Sequence, residues 1–402
     1  MTADSLAGVP RRANLYVLLV ATFLIFSGEE LWSRFVPKYM VALGGSVLAV
    51  SAYGTLKDLL DAVYQFPGGV LTARVGVKAS LLLFNLLALG GYIAFAFAAH
   101  AWVIVAALPL VMAWQSFSLP ATFSVVGDSL KNGEQTIGFA YQSIVRRVPT
   151  IAAPVIGGLL IGSFGLITGI RIAIAIGVGL AFTAAVIQMF YYRFQRSKPL
   201  RIADYVADAA KLDPRLKMLL LADCFVRFGQ GVGEVFIVLY AMQVVGVSAA
   251  VFGALIALAM TTSIAVYLPV ARLADAHGRE PWVTLTYSFF ALFPLVLALS
   301  ATPAMLTLAF ICMGLREIGE PPRKSLIVDL TRPDRTSVDV GTYYLIRGLA
   351  VFPASLVGGI LWRVSPHLTF FAAALVAAIG TLIFGLTLGR RRSLPAETSA
   401  QP

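Results

Sequence analysis

The sequence predicts an all-α integral membrane protein with twelve transmembrane helices in two pseudo-symmetric six-helix bundles. Three observations carry this prediction. Of 402 residues, 59% are hydrophobic and only 13% charged, about half the roughly 25% of a soluble domain. Apolar runs of about 20 residues, the length that crosses a bilayer, recur from end to end. The second half also repeats residue types of the first at a constant offset. A mean hydropathy of +0.85 excludes a soluble enzyme, a disordered chain and a nucleic-acid-binding module.

The expected spans are 14–40, 47–72, 79–99, 102–130, 138–163, 168–192, 217–243, 248–271, 282–301, 304–330, 339–362 and 368–389. The first follows Arg11-Arg12 and is too long for the apolar core of a signal peptide, so it reads as a retained helix. The longest polar segment, between spans six and seven, divides the chain into its two halves. The organisation is an N-terminal tail 1–13, a bundle 14–192, a linker 193–216, a second bundle 217–389 and a C-terminal tail 390–402.

The net charge is +11. Loops on one side hold Lys38, Arg171 and Arg363. The opposite loops and the termini hold twenty-one basic residues, among them Arg11, Arg12, Arg74, Lys78, Arg272, Arg279 and Arg390-Arg391-Arg392. This excess places both termini in the cytoplasm and removes any need for a nucleic-acid partner. Cys224 and Cys312 lie in apolar runs, and His100, His277 and His367 lie near span ends. Neither set suggests a disulfide, a metal site or a cofactor.

Sliding the second half back by 201 residues aligns Gly28 with Gly229, Phe35 with Phe236 and Tyr39 with Tyr240. It also aligns Pro120 with Pro321, Asp128 with Asp329, Arg146 with Arg347, and Gly157-Gly158 with Gly358-Gly359. The chain reads as a tandem duplication of a six-helix unit. An even number of spans keeps both copies in one orientation, related by an axis along the membrane normal.

After span two the chain reads Gly69-Val-Leu-Thr-Ala-Arg74-Val-Gly76-Val-Lys78. After span eight it reads Ala271-Arg-Leu-Ala-Asp275-Ala-His-Gly278-Arg279-Glu280. Both resemble the G-x-L-A-D-R-x-G-R-K signature of the major facilitator superfamily, with Ala73 and Ala276 as departures. The resemblance implies a secondary transporter that alternates between inward-open and outward-open states. It also implies a gating loop formed by Gly69, Arg74, Gly76, Lys78, Asp275, Gly278 and Arg279, with Asp128 and its repeat mate Asp329 as carboxylates that engage it. Ala153-Pro154-Val-Ile-Gly157-Gly158 partly resembles the G-x-x-x-G-P-x-x-G-G motif of proton-coupled drug antiporters in that superfamily. Pro154, Gly157 and Gly158 are therefore candidate hinge residues, together with Pro321 and Pro322 in the Gly319-Glu-Pro-Pro-Arg-Lys segment of span ten.

Leaving out those towards span ends, fifteen ionisable residues are placed within the membrane: Glu29, Glu30, Arg34, Lys57, Asp58, Asp61, Arg146, Arg147, Asp223, Arg227, Glu234, Arg316, Glu317, Glu320 and Arg347. Each costs a few kcal/mol in a bilayer unless it faces a partner or a cavity. Four-residue spacing suggests the pairs Glu30–Arg34, Lys57–Asp61, Asp223–Arg227 and Arg316–Glu320. Glu30, Asp58, Asp61 and Glu317 are the expected proton carriers, Glu30 preferred over Glu29 because it shares a face with Arg34. The superfamily resemblance implies that spans one, four, seven and ten line a central cavity. Candidate cavity residues are Glu29, Arg34, Lys57, Arg146, Arg227, Gln230, Glu234, Arg316, Glu320 and Arg347.

The expected function is secondary transport of a small molecule across a bacterial cytoplasmic membrane. Protons, or alternatively sodium, are the coupling ion, and efflux is favoured over uptake by symport. A receptor or lipid-flipping protein on the same scaffold is the alternative from another class. No G-x-S-x-G, H-E-x-x-H or P-loop motif suggests an enzyme. Membrane lipids surround the expected monomer.

Overall fold

A bilayer offers no water to the backbone, so apolar runs satisfy their own N–H and C=O groups as helices. The structure, a computed structural model, describes residues 12–118, 135–192, 212–331 and 336–389. In chain order its helices are α1 (Arg12–Glu30), α2 (Val36–Ala42), α3 (Val47–Val75), α4 (Val77–Ala96), α5 (Ala101–Met112), α6 (Gln135–Phe164), α7 (Leu166–Tyr191) and α8 (Pro214–Glu234). There follow α9 (Ile237–Leu239), α10 (Ala249–His277), α11 (Glu280–Leu299), α12 (Pro303–Leu315), α13 (Glu320–Asp329), α14 (Thr336–Val351), α15 (Ala354–Val364) and α16 (Pro366–Phe384). Asp128, most of the linker and most of both tails lie outside the described residues.

This is an all-α, multi-span membrane fold. Among the described residues, eight helices are long and apolar enough to cross a bilayer. A ninth candidate joins Pro214–Glu234 to Ile237–Val244 across a 42° bend. Three of the twelve expected spans fall short of that standard for visible reasons. α3 carries Lys57, Asp58, Asp61 and Arg74. α5 with its extension is short. The tenth expected span is interrupted between α12 and α13. Many large apolar side chains point outward, among them Ile360, Phe190 and Leu375, as lipid-facing surfaces require.

The chain forms two compact units. One takes in the described residues up to Tyr192 together with Val235–Met260; the other takes in those from Leu212 to Glu234 together with the residues from Thr261 on. The boundary thus falls at the break after Glu234 and within α10.

In the first unit α1 packs on α6 and α7 through small residues. A Cβ on Gly157 would come 1.8 Å from the Leu31 carbonyl oxygen, so only glycine admits that approach. Trp32 sits edge-on to Tyr92 and Phe95, with centroids 5.2 and 5.6 Å away. Arg171 donates to the Tyr39 hydroxyl (3.2 Å) and the Ala98 carbonyl (2.9 Å). Phe252, early in α10, stacks edge-on to Phe35 in the same unit.

In the second unit α8 and α11 both pack against α16. Leu216, Leu219, Val226, Val283, Tyr287 and Phe384 fill that core. Pro214 opens α8, where proline's missing N–H costs nothing, and the Asp213 carboxylate accepts the Arg215 N–H (2.7 Å).

Candidate functional site

Four expected spans break in their backbone with charged or amide side chains at or beside the breaks, whereas the charged helices α3 and α6 run unbroken. α1 gives way at Leu31 to a short 3-10 turn, Ser33–Phe35, and α8 gives way after Glu234. α5 passes into a π-helical turn, Ala113–Phe117, and the chain between α12 and α13 is a turn over 316–319. Each pair of irregularities stands about 201 residues apart, so the duplication repeats its defects as well as its helices. Glu29, Glu30, Gln115, Glu234, Arg316, Glu317 and Glu320 sit at or beside these breaks. Irregular backbone within a membrane persists where it is buried in protein or lines a polar cavity.

In the first unit Glu29 is buried and accepts hydrogen bonds from the Tyr92 hydroxyl (3.2 Å) and the Gln115 side-chain amide (2.7 Å). Both donors are neutral. Lys57 and Glu30 act on its charge from nearby. Glu30 instead receives Arg34 at 3.2 Å, the pair its spacing suggested. Asp61 accepts from the Ser116 hydroxyl at 3.0 Å. Gln115 and Ser116 are consecutive residues of one π-helical turn, so that turn contacts carboxylates of two different helices. Lys57 and Asp58 also have interaction partners. Arg146 lies over the Phe26 ring, 4.5 Å from its centroid.

The second unit holds a closed ionic network. Asp223, fully buried, accepts from Arg323 (2.8 Å), Arg347 (3.3 Å), and the hydroxyls of Tyr343 (2.9 Å) and Tyr287 (3.1 Å). Arg227 stands 3.7 Å from it, the expected four-residue pair. Glu320 takes a two-pronged contact from Arg323 (3.1 and 2.9 Å) and a further bond from Arg227. Arg227 also donates to Gln230 (3.0 Å), which donates in turn to Glu234 (3.3 Å). Arg316 pairs with Glu234 at 3.5 Å and stacks on Phe290 and Phe293. The Arg316–Glu320 pair suggested by spacing gives way to other partners: across the turn over 316–319 Arg316 pairs with Glu234, and Glu320 with Arg323 and Arg227. Glu317 acts electrostatically on Arg227.

Gly76 and Gly278, with φ of +89° and +93°, make the turns between α3 and α4 and between α10 and α11. Positive φ is why each turn uses glycine. Arg279 forms an ion pair with Asp329. Arg74 is exposed in the last turn of α3 and Lys78 is half-buried at the start of α4. Gly69 lies within α3, and Asp275 within α10 with its side chain outside the description. Pro154 lies inside the continuous α6, and its carbonyl oxygen would be 2.3 Å from a Cβ on Gly253. Gly158 approaches the Ala249 carbonyl as closely. Pro321 and Pro322 occupy the first turn of α13, so they start a helix and the break precedes them.

Sequence reasoning passed over Arg323 and gave Asp223 only its pairing with Arg227, yet Asp223 and Arg323 are the centre of the second network. The signal was present: prolines in a first turn let the helix continue, which puts Arg323 one turn beyond Glu320. Tyr92, Gln115, Tyr287 and Tyr343 carried no signal, since an isolated polar residue in an apolar run shows no partner until the helices are packed. Among the described residues, no group of three or more His, Cys, Asp or Glu side chains is placed to hold a metal ion.

Comparison with known proteins agrees with this architecture. The chain aligns with the Major Facilitator Superfamily family model over residues 18–222 and 219–402. A transporter-type protein of Methanocaldococcus jannaschii, MJ1317, is 30% identical over 117 residues, 29% of each chain. The class B tetracycline resistance protein of Escherichia coli is 29% identical over 133 residues, 33% of each chain. The matched stretches thus span about a third or less of these curated relatives. Similar folds include the nucleoside transporter NupG (TM-score 0.77, 12% identity, 93% of this chain and 100% of that one). A POT family transporter solved with 5-aminolevulinic acid is also similar (0.76, 13%, 95% and 96%). So is a bacterial homologue of the lysosomal transporter Spinster (0.72, 14%, 95% and 97%). A transporter superfamily rather than an enzyme family is therefore indicated: the chain belongs to the Major Facilitator Superfamily.

Proposed function

We propose that this protein is a secondary active transporter that moves a small molecule across the cytoplasmic membrane by alternating access, coupled to protons. Twelve spans in two six-helix bundles, α3, α5 with its extension, and α12 with α13 each serving as one crossing, complete the architecture. Both termini face the cytoplasm, and the unit is a monomer in lipid. The carrying observation is Glu29, a buried carboxylate in a membrane helix whose hydrogen bonds come from neutral donors. Burying a carboxylate without a bonded cation is costly, and taking up a proton relieves that cost. Glu30, Asp58, Asp61 and Glu317 are the further candidates.

Export is the favoured direction. It is supported by the partial antiporter motif around Pro154 and by the stretch of similarity to a protein named for tetracycline resistance. Uptake by symport is the second reading, favoured by the guanidinium of Arg146, which makes no ion pair among the described residues. The gating loop and the Pro154–Gly158 segment serve the change of state.

The test is flux in proteoliposomes under an imposed pH gradient, after a binding screen of metabolites and drugs at two pH values. Proton-driven accumulation is expected in the native protein. In Glu29→Gln it should fall to the passive level, while exchange between equal substrate pools persists, because glutamine still accepts from Gln115, donates to the Tyr92 oxygen in place of accepting from it, and cannot titrate. Undiminished pH-driven accumulation in this variant would remove Glu29 as the coupling group. The sign of the gradient that drives accumulation separates export from uptake.

A further inference from the structure

The duplication places three residues of the first unit against three of the second. Thr22, Phe26 and Arg146 stand 201 residues before Asp223, Arg227 and Arg347. In the second unit this trio is an ionic cluster, with Arg347 bonded to Asp223 at 3.3 Å and Arg227 at 3.7 Å from the same carboxylate. In the first unit the carboxylate is replaced by a threonine and one arginine by a phenylalanine. The remaining arginine is kept.

That arginine is at the equivalent depth. Arg146 lies about 16 Å along α6 and Thr22 about 15 Å along α1, at 1.5 Å per residue. The two helices are packed together, and Arg146 lies over Phe26, one turn beyond Thr22. Among the described residues it makes no hydrogen bond and no ion pair. Glu29, Glu30 and Asp61 are near enough to act on its charge. Their bonds go elsewhere: Glu29 to Tyr92 and Gln115, Glu30 to Arg34, and Asp61 to Ser116. The indole N–H of Trp114, beside Gln115, is buried and is also unpartnered among the described residues. In the second unit Arg227, Arg316, Arg323 and Arg347 each hold a carboxylate.

We propose that Arg146 is the anchor for an anionic group of the transported molecule, a carboxylate or phosphate on a small organic anion, which occupies the place that Asp223 holds in the second repeat. A guanidinium offers five donors in a planar fork that suits both groups. Stacking on Phe26 fixes its plane and spends none of the donors. The proposal rests on the transporter reading for its biological sense, but its test does not. It reads equilibrium binding, which survives even if proton coupling fails.

The experiment measures thermal unfolding of the purified full-length protein in neutral detergent. Benzoate, succinate and glycerol phosphate are each compared with an uncharged counterpart (benzamide, succinamide, glycerol), and benzylamine serves as the cation. At least one anion should raise the midpoint saturably, by about 2 °C at ten times its dissociation constant. The uncharged counterparts and benzylamine should not. Arg146→Gln should abolish the response. Thr22→Asp is the second variant, chosen in case Arg146→Gln does not fold: it supplies an internal carboxylate, as in the other repeat, and should compete the anion out. The proposal is overturned if no anion gives an Arg146-dependent shift or if benzylamine matches the anions. It is equally overturned if Thr22→Asp leaves the response intact, or if only added phosphatidylglycerol responds, which would make the site one for lipid phosphate.

Discussion

Asp223 has no access to water, and the arginines and tyrosine hydroxyls around it take the place of hydration. Such a cluster is not a source of net stability over an apolar core, but removing one member leaves the others buried and uncompensated. Asp223→Ala is therefore expected to cost about 3–5 kcal/mol, since Arg323 and Arg347 both lose an acceptor. Thermal unfolding in detergent measures it. A loss under about 1 kcal/mol, the worth of an exposed pair, would mean that water reaches the cluster. Glu29 is the opposite case. It is equally hidden, but the groups that hydrogen-bond to it are neutral, so a proton taken up there breaks no bonded ion pair. The same residue type therefore serves structure in one unit and is proposed to serve coupling in the other.

The elements are defined by where they stop. Four expected spans are interrupted, and the flanking contacts show how the interruptions are held. At the turn before α13 the Gly319 N–H is satisfied by the Thr286 hydroxyl, and the Trp282 carbonyl approaches so closely that a side chain would collide. Paired glycines do the equivalent work between α6 and its neighbours. Gly157→Ala puts a Cβ against the Leu31 carbonyl beside the α1 break. Backbone cannot yield as a flexible side chain does, so a cost of about 1–3 kcal/mol is expected, read as a lowered unfolding midpoint. Gly162→Ala, where the added carbon meets open space, is the control and should be neutral or better.

For the molecule as a whole, the ion pair Arg279–Asp329 belongs to the second copy of the loop signature, the copy that kept its aspartate in sequence. Both side chains are partly exposed. Arg279→Ala is accordingly expected to change folding stability by under about 1 kcal/mol and to alter transport rate more than substrate affinity. Initial rates and equilibrium binding measured on one preparation separate these. Unchanged rates would leave the pair a surface contact and remove the gating role proposed for it.

The apolar runs determined by themselves that the chain is helical and lies in a membrane, because hydrocarbon leaves the backbone no other way to satisfy itself. The repeat at 201 residues determined that the halves are copies, and the loop signature pointed to the superfamily. Local spacing also found Asp223–Arg227, four apart on an unbroken helix, and Glu30–Arg34, which stay neighbours across the α1 break. Only the tertiary structure decided that Arg316 serves Glu234, that Arg323 lies at the heart of the second network, and that Arg146 makes no hydrogen bond or ion pair among the described residues. Those outcomes depend on partners more than fifty residues away and on helices that break in mid-span. A one-dimensional pattern carries the period of a helix, but neither its interruptions nor its neighbours.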